Sequence, residues 1–458
     1  MARHVIILGA GISGLSAAWR LSDIGAKVDI FESGPSVGGL AGTRREGHYC
    51  LDVGPHSFFS DDQQIVNTVC RLFKDNLKHL PRKVKFYYKG KYIDYPLTAQ
   101  GVLLRMGLRS GVKAACSFLK GKIFRYNRGL RSQENQTVED WAISSFGEYL
   151  YRSFFKPYTE QFWKIPCSEL SSRSIPTNTR MSFLNTLRLL LRQKTGSGGE
   201  SLIEREMRPT YYPDTGFSEI SEQIAKRIEN NQGRIHLGCE VTGVVELSSG
   251  KMRITYQRNG QREEMEGDYV ISTVPLSSLV NMLSPSVSSE IKLSANKLEY
   301  RPLIVLGMLT QKQKILNCGY AYILDRPFNR IFEMNEFSPS TSLPGENIIA
   351  VEIPCLQGSV LWKASKEELF RMCIPSLSRD GFISSGEVKK LFLIKAQYAY
   401  PIYRRGYAGH LSSVISYLSR YRSLVTLGRC GEFMYMDIDE CMKRAFDFAD
   451  TFKNNGNH

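Results

Sequence analysis

The chain has 458 residues, enough for two or three domains with sizeable cores. Hydrophobic residues make up 42% and charged residues 23%, which excludes a disordered or fibrous chain. The formal charge of +15 favours anionic partners such as phosphates, acidic lipid or nucleic acid, and ten scattered cysteines without a CxxC pair or a Cys/His cluster exclude a zinc framework and predict no metal. No apolar run is long enough to span a bilayer, and a strand begins almost at once, leaving no room for a signal peptide. The expectation is a cytoplasmic protein without structural disulfides.

The first predicted elements fall in residues 4–33, "HVIILGAGISGLSAAWRLSDIGAKVDIFES". "HVIIL" is a compact apolar run, as a buried parallel strand requires. "GAGISG" follows, then "LSAAWRLSDIG" with helical character ending at Gly25, then the strand "KVDIF". Strand, glycine turn, helix and strand fit into about thirty residues, the size of a βαβ unit. In such a unit Gly9 permits the tight turn, and Gly11 lets backbone approach a pyrophosphate at the positive helix N-terminus. Gly14 lets helix and strand pack closely. Glu32, eighteen positions after Gly14, stands where a carboxylate accepts ribose hydroxyls and disfavours the extra phosphate of NADP. The unit predicts a dinucleotide site. The alternative, a Gly-rich turn in an unrelated βαβ unit, leaves Glu32 without a role.

Further stretches follow in chain order. "SGPSVGGLAGT" adds Gly38, Gly39 and Gly42, and "YCLDVGPHSFFSDDQQIVNTV" (49–69) holds Gly54, Pro55 and His56. "FFKPYTEQFWKIPCSEL" (154–170) contains Tyr158 and Trp163, an aromatic pair that suits a core as well as a pocket. "YYPDTGFSEISEQIAKRI" reads as a turn and an amphipathic helix, "GRIHLGCEVTGVVEL" as two short strands, and "DYVISTVP" (268–275) as a buried strand. "DRPFNRIFEMNEFSP" (325–339) carries Arg330. "LVTLGRCGEFMYMDIDECMKRAFDFA" (424–449) predicts a strand ending in Gly428, a short turn, and a helix beginning near Asp437.

Together these stretches resemble the FAD-dependent amine oxidase and protoporphyrinogen oxidase superfamily, with motifs nearest those of UDP-galactopyranose mutase-like flavoproteins. The resemblance implies FAD as cofactor. It places Gly9, Gly11, Ile12, Ser13, Gly14, Glu32, Ser33, Gly38, Gly39, Leu40, Gly54, Pro55, His56, Val241, Gly428, Arg429, Asp437 and Ile438 against it, with backbone at Val241 at the adenine end. It implies catalytic roles for Arg330, Tyr435 and His56, and substrate contacts for Tyr158, Trp163, Arg330 and Tyr435. Arg330 and Tyr435 match residues that hold a sugar-nucleotide diphosphate in the mutases, a task suited to a permanently charged, planar guanidinium. Three departures stand beside these matches. Val37 replaces the basic residue usual before the second glycine pair, with Arg44 and Arg45 following instead. Phe433 stands where bacterial mutases often have tyrosine. After Trp163 the next arginine, Arg173, comes at a shorter spacing, with no clear uridine-stacking pair.

The expected architecture is α/β. A discontinuous Rossmann-type FAD domain is assembled from 1–80, 205–280 and 405–458. A mixed-sheet substrate domain with a helical insert takes 81–204 and 281–404, including a short Gly/Ser link, "KTGSGGES", at 194–201. Between Tyr95 and Gln133 there are eight basic residues and no acidic one, with apolar residues interleaved. That pattern in the 100–131 region fits peripheral contact with an anionic membrane, guidance of an anionic substrate, or solvated positive helices over a core; no nucleic-acid module is recognisable.

Two enzymatic readings follow from the resemblance. In one, reduced FAD attacks the anomeric carbon of a sugar-nucleotide or other sugar phosphate through N5, without net redox change. In the other, the enzyme is an oxidoreductase that passes hydride from substrate to flavin. A flavin-bound scaffold without turnover is a third reading.

Overall fold

The computed structural model describes residues 3–74, 77–81, 83–88, 90–94, 113, 116–118, 136–175 and 210–454. The link at 194–201, and the 100–131 region apart from residues 113 and 116–118, lie outside the described residues.

The opening motif folds as a strand β1 (His4–Leu8), a helix α1 (Ile12–Asp23) and a strand β2 (Lys27–Glu32). β1 and β2 pair in parallel at the centre of a five-stranded sheet, ordered Leu424–Thr426, Tyr269–Ser272, β1, β2, Arg234–Leu237. Both faces of that sheet are covered, which is why β1 is apolar without alternation. Val5 and Ile7 point to one side, packing with residues of α1 and of the helices Glu219–Asn230 and Ile438–Asn454. Ile6 and Leu8 point to the other, against Val244, Ile254 and Tyr256 of a four-stranded sheet. Asp29 is buried on β2 and accepts hydrogen bonds from His236 at 2.7 Å and His4 at 2.8 Å on the two flanking strands. Burial opposes its charge, but the two imidazoles win and hold its carboxyl well below the usual range.

A second, seven-stranded sheet is ordered Lys390–Pro401, Tyr300–Thr310, Asn347–Pro354, Arg330–Glu333, Tyr320–Ile323, Val84–Tyr88, Lys91–Asp94. Its pairs are antiparallel except Tyr320–Ile323 with Val84–Tyr88. All eleven residues of Tyr300–Thr310 are buried. Leu303, Val305 and Leu309 join the core that contains Leu51 and Phe58, while Ile304, Leu306 and Met308 pack on the helix Lys366–Arg379. A helical section, Val138–Phe146 to Lys156–Trp163, starts on a capping box between Thr137 and Asp140. Among the described residues no helix is long and apolar enough to cross a membrane.

Asp52, at the end of the strand Tyr49–Asp52, ties the first glycine-rich region to the turn at 213–217. Its buried carboxylate accepts from Thr43 Oγ1 at 2.6 Å, Tyr212 Oη at 2.7 Å and the Phe217 amide at 3.1 Å. Burial outweighs these donors and pushes its pKa up to about 6. The folded state therefore holds this proton where the unfolded chain has lost it, and stability from this group falls as pH rises from about 4 to about 6. Asp52→Asn is expected to flatten that part of the stability curve, a difference on the order of 3 kcal/mol, read as the pH dependence of urea midpoints for the two proteins.

Candidate functional site

A cavity of about 960 Å³ opens beyond the C-terminal ends of β1 and β2 and extends to the seven-stranded sheet. Every residue that the sequence analysis singles out for the site lines it, except Gly14 and Gly428. Both exceptions act by close approach. A Cβ on Gly14 would meet the Gly9 carbonyl oxygen at 2.1 Å, and one on Gly428 would meet Ser13 Oγ at 2.2 Å.

At one end α1 begins at Gly11 without a side-chain cap, so its first amides face the cavity. The turn at Gly38 sits against it, with the Gly38 amide donating to the Ala10 carbonyl at 2.9 Å. A Cβ on Gly11 would meet no atom within 4 Å, although its backbone is extended and suits any residue. The bare backbone thus forms a cradle of the kind a pyrophosphate fills. Glu32 is held in place by the amides of Ala10 at 2.9 Å and Gly34 at 2.7 Å. It lines the cavity with Ser33, Glu240 and Val241. These features fit the ADP half of FAD. A second helix N-terminus, at Ile438, enters the same cavity with Asp437 and Asp439.

Gly54, Pro55 and His56 line the same cavity as Arg429 and Tyr435. His56 is half-buried, and its Nδ1 is buried without a hydrogen-bond partner among the described residues. Burial, then Arg330 and Arg429, push its pKa down to about 3, so the ring is neutral. Arg429 donates Nε to the Met436 carbonyl at 2.8 Å and Nη1 to the Ala399 carbonyl at 3.3 Å. The segment after Leu424–Thr426, expected as a turn, is a short helix at Gly428–Gly431. Phe433 does not reach the cavity. It is buried in a left-handed conformation among Tyr300, Tyr403 and Tyr407, so the tyrosine hydroxyl it lacks is no loss to the cavity wall.

At the other end Arg330 donates Nε to Glu352 Oε2 at 2.7 Å and Nη2 to Tyr400 Oη at 2.9 Å. Burial works against its charge, and Glu352, then Tyr400, more than restores it. Glu352 Oε1 is buried without a partner among the described residues. Tyr400 stacks on Tyr435 at 6.0 Å, and Asp437, followed by burial, raises the pKa of Tyr435 well above the usual tyrosine value. Tyr158 lines the same end, its hydroxyl likewise raised by burial. Trp163 lines the wall beside Phe162.

Sequence reasoning missed Glu352, Tyr400 and Phe162. Two signals were available. Glu352 is a lone acid in the apolar strand "NIIAVEIP", buried at every position, and a carboxylate there demands a buried partner. Tyr398 and Tyr400 alternate along one strand and both face the cavity. Phe162 had none beyond its helix.

Two glycines three residues apart are expected to fail differently. Gly11→Val should fold within about 1 kcal/mol of the parent but retain no flavin. Gly14→Ala should lose more than about 2 kcal/mol of stability, because backbone cannot yield as a side chain does. Thermal melts of apoprotein and flavin absorbance after reconstitution separate the two. His56 is expected to keep a neutral imidazole from pH 8 down to pH 5, with no transition near the ordinary histidine value, as read from its ring resonances by NMR.

The chain is similar to known flavoproteins along most of its length. It is 24% identical over 460 residues to "Probable UDP-galactopyranose mutase" of Klebsiella pneumoniae, covering 98% of this chain and 94% of that one. It is 24% identical over 343 residues to chloroplastic protoporphyrinogen oxidase 1 of Arabidopsis thaliana, covering 68% of this chain and 59% of the relative. A crystal structure of reduced UDP-galactopyranose mutase superposes with a TM-score of 0.80 at 19% identity, covering 100% of this chain and 95% of the other, which shows a shared fold. The profile of the family described as "Flavin containing amine oxidoreductase" matches residues 12–407. With the cradle at Gly11 and the carboxylate of Glu32 in place, the chain belongs to the flavin containing amine oxidoreductase family and is an FAD-dependent enzyme.

Proposed function

We propose that this enzyme acts on an anionic sugar-nucleotide or other sugar phosphate, by redox-neutral chemistry like that of UDP-galactopyranose mutases. The observation that carries the reading is the set of fixed guanidinium groups at the end of the cavity remote from Glu32. Arg330 and Arg429 line it, and Arg301 lies behind its ring wall. Against these three stand Glu352, Asp437 and Asp439, so the reading rests on the placement of the guanidinium groups and not on a net surplus of charge. The fork of Arg330 is fixed by Glu352 and Tyr400, and that of Arg429 by backbone carbonyls. Pre-oriented guanidinium groups in a buried site bind phosphate well and stabilise its charge as a sugar–oxygen bond breaks. Neutral His56 and the hydroxyls of Tyr158 and Tyr435 orient the ligand without supplying charge. FAD, when bound, supplies reactive N5 chemistry; Glu32 would hold its ribose and the Gly11 cradle its pyrophosphate. The lobe of 1–80, 205–280 and 405–458 would carry the cofactor, and 81–204 with 281–404 the substrate.

A second reading, hydride transfer from substrate to flavin, draws support from the apolar rings Phe86, Phe155 and Phe162 on the cavity wall. One experiment separates the two. Flavin is reduced without oxygen and candidate nucleotide sugars and sugar phosphates are added. An isomerised sugar without net flavin oxidation is expected. Bleaching of oxidised flavin by substrate would instead select the oxidoreductase. Arg330→Ala is expected to weaken pyrophosphate binding roughly a hundredfold while FAD affinity stays near the parent value, with Arg330→Lys between. Equal loss of both ligands by calorimetry would remove the phosphate role.

A further inference from the structure

We propose that the arm of the cavity beside Phe162 binds a hydrocarbon chain, so that the substrate is an amphiphile: a phosphate or diphosphate head at Arg330 and Arg429, and an apolar tail among the rings. The inference rests on the reading of the arginine end as a phosphate site.

The arm is walled by Trp141, Phe146, Phe155, Phe162, Trp163 and Ile175. Phe146 and Phe155 stack on each other with centroids 4.3 Å apart, and Trp141 meets both edge-on, at 5.5 and 6.4 Å. Phe162 meets Trp163 edge-on at 5.1 Å. The rings thus spend stacking faces on one another. A nucleobase needs a free ring face and hydrogen-bonding groups for its edge. Of the residues between 136 and 175 that line the cavity, the side-chain oxygens are the hydroxyls of Tyr158, Thr159 and Ser174; no carboxylate, carboxamide or cation is among them. Trp141, Phe146, Phe155 and Phe162 are only partly buried by the protein itself. An apolar chain would complete their burial at little demand on direction, whereas a base would leave its polar edge unpaired.

Two further observations agree. Phe155 ends a π-helical turn, Tyr151–Phe155, set between α-helical segments, a local irregularity that is frequent at functional sites. Residues 116–118 are seated beside it: the Tyr149 amide donates to Ser117 Oγ at 2.9 Å, and a Cβ on Gly147 would meet the Phe118 amide nitrogen at 2.6 Å. The sequence around that seat, 95–133, carries eight basic residues and no acidic one. In the sequence, this basic run on either side of Ser117 is complementary in charge to an anionic amphiphile.

The test uses the full-length, flavin-loaded protein titrated with inorganic pyrophosphate, UDP, geranyl diphosphate and farnesyl diphosphate, read by flavin absorbance. Farnesyl diphosphate is expected to bind at least tenfold more tightly than pyrophosphate and UDP, with geranyl diphosphate between. Phe155→Ser is expected to weaken farnesyl diphosphate at least tenfold more than it changes pyrophosphate. The chain-length series on the parent protein decides the matter even where that variant does not fold. UDP binding above farnesyl diphosphate, or equal affinity along the series, overturns the apolar arm and leaves the phosphate site standing. Farnesol binding as well as its diphosphate, with no binding of pyrophosphate, overturns the phosphate site and this inference with it.

Discussion

A missing methyl group at Gly14 sets the geometry of the cavity. Any side chain there would strike the Gly9 carbonyl, so only glycine lets α1 settle onto the turn that ends β1. Gly9 makes that turn with φ of +99°, in the left-handed region where other residues are strained. Once α1 is seated, its uncapped start is fixed relative to the sheet. Two distant segments then close on it: the Gly38 turn on Ala10 and Gly11, and the Gly428 helix on Ser13. Each approach is backbone against backbone or against a small side chain. The first helix amides are left facing inward with no side chain in front of them, and the anion-binding potential of a helix start becomes available to a ligand.

The far end of the cavity depends on buried charge. Arg301 is fully buried and its three guanidinium nitrogens have no hydrogen-bond partner among the described residues. It lies against the rings of Phe162 at 4.0 Å and Tyr400 at 4.6 Å, which meet each other edge-on. A guanidinium is weakly hydrated, so ring faces substitute for part of the lost water. Burial still lowers its pKa, with Tyr400 and Glu352 opposing. Tyr400 therefore has three arginines about it: Arg301 on its ring, Arg330 on its hydroxyl, and Arg429 at 5.6 Å. Packing and charge here are one feature. The ring pair that shelters Arg301 also lines the cavity wall with Phe162 and Tyr400.

Legibility in the sequence differed between the two ends for a physical reason. The nucleotide end is written in short-range spacing: glycines where backbone must come close, an acid where β2 stops, and an apolar run where a strand is covered on both faces. The arginine end is made of pairs across the seven-stranded sheet. Arg330 meets Glu352 over 22 residues and Tyr400 over 70. Register between strands decides those meetings, and register does not appear in the residues of any one strand. Phe433 teaches the same lesson in reverse. As a replaced tyrosine it reads as a lost ligand contact, yet its left-handed backbone turns the ring into a core of three tyrosines.

By itself, the sequence determined a βαβ unit with a glycine turn at the helix start, an acid where β2 ends, and a strand and helix near the C-terminus. Those features are local, because a tight turn, a helix start and a strand end each need particular residues within a few positions. Only the tertiary structure decided that Arg330 is locked by Glu352 and Tyr400, that Arg301 is sheltered against two rings, and that an aromatic arm extends from the arginine end. Those features depend on which strands lie side by side and which helix covers them, and burial then fixes the charge state of each group that meets there.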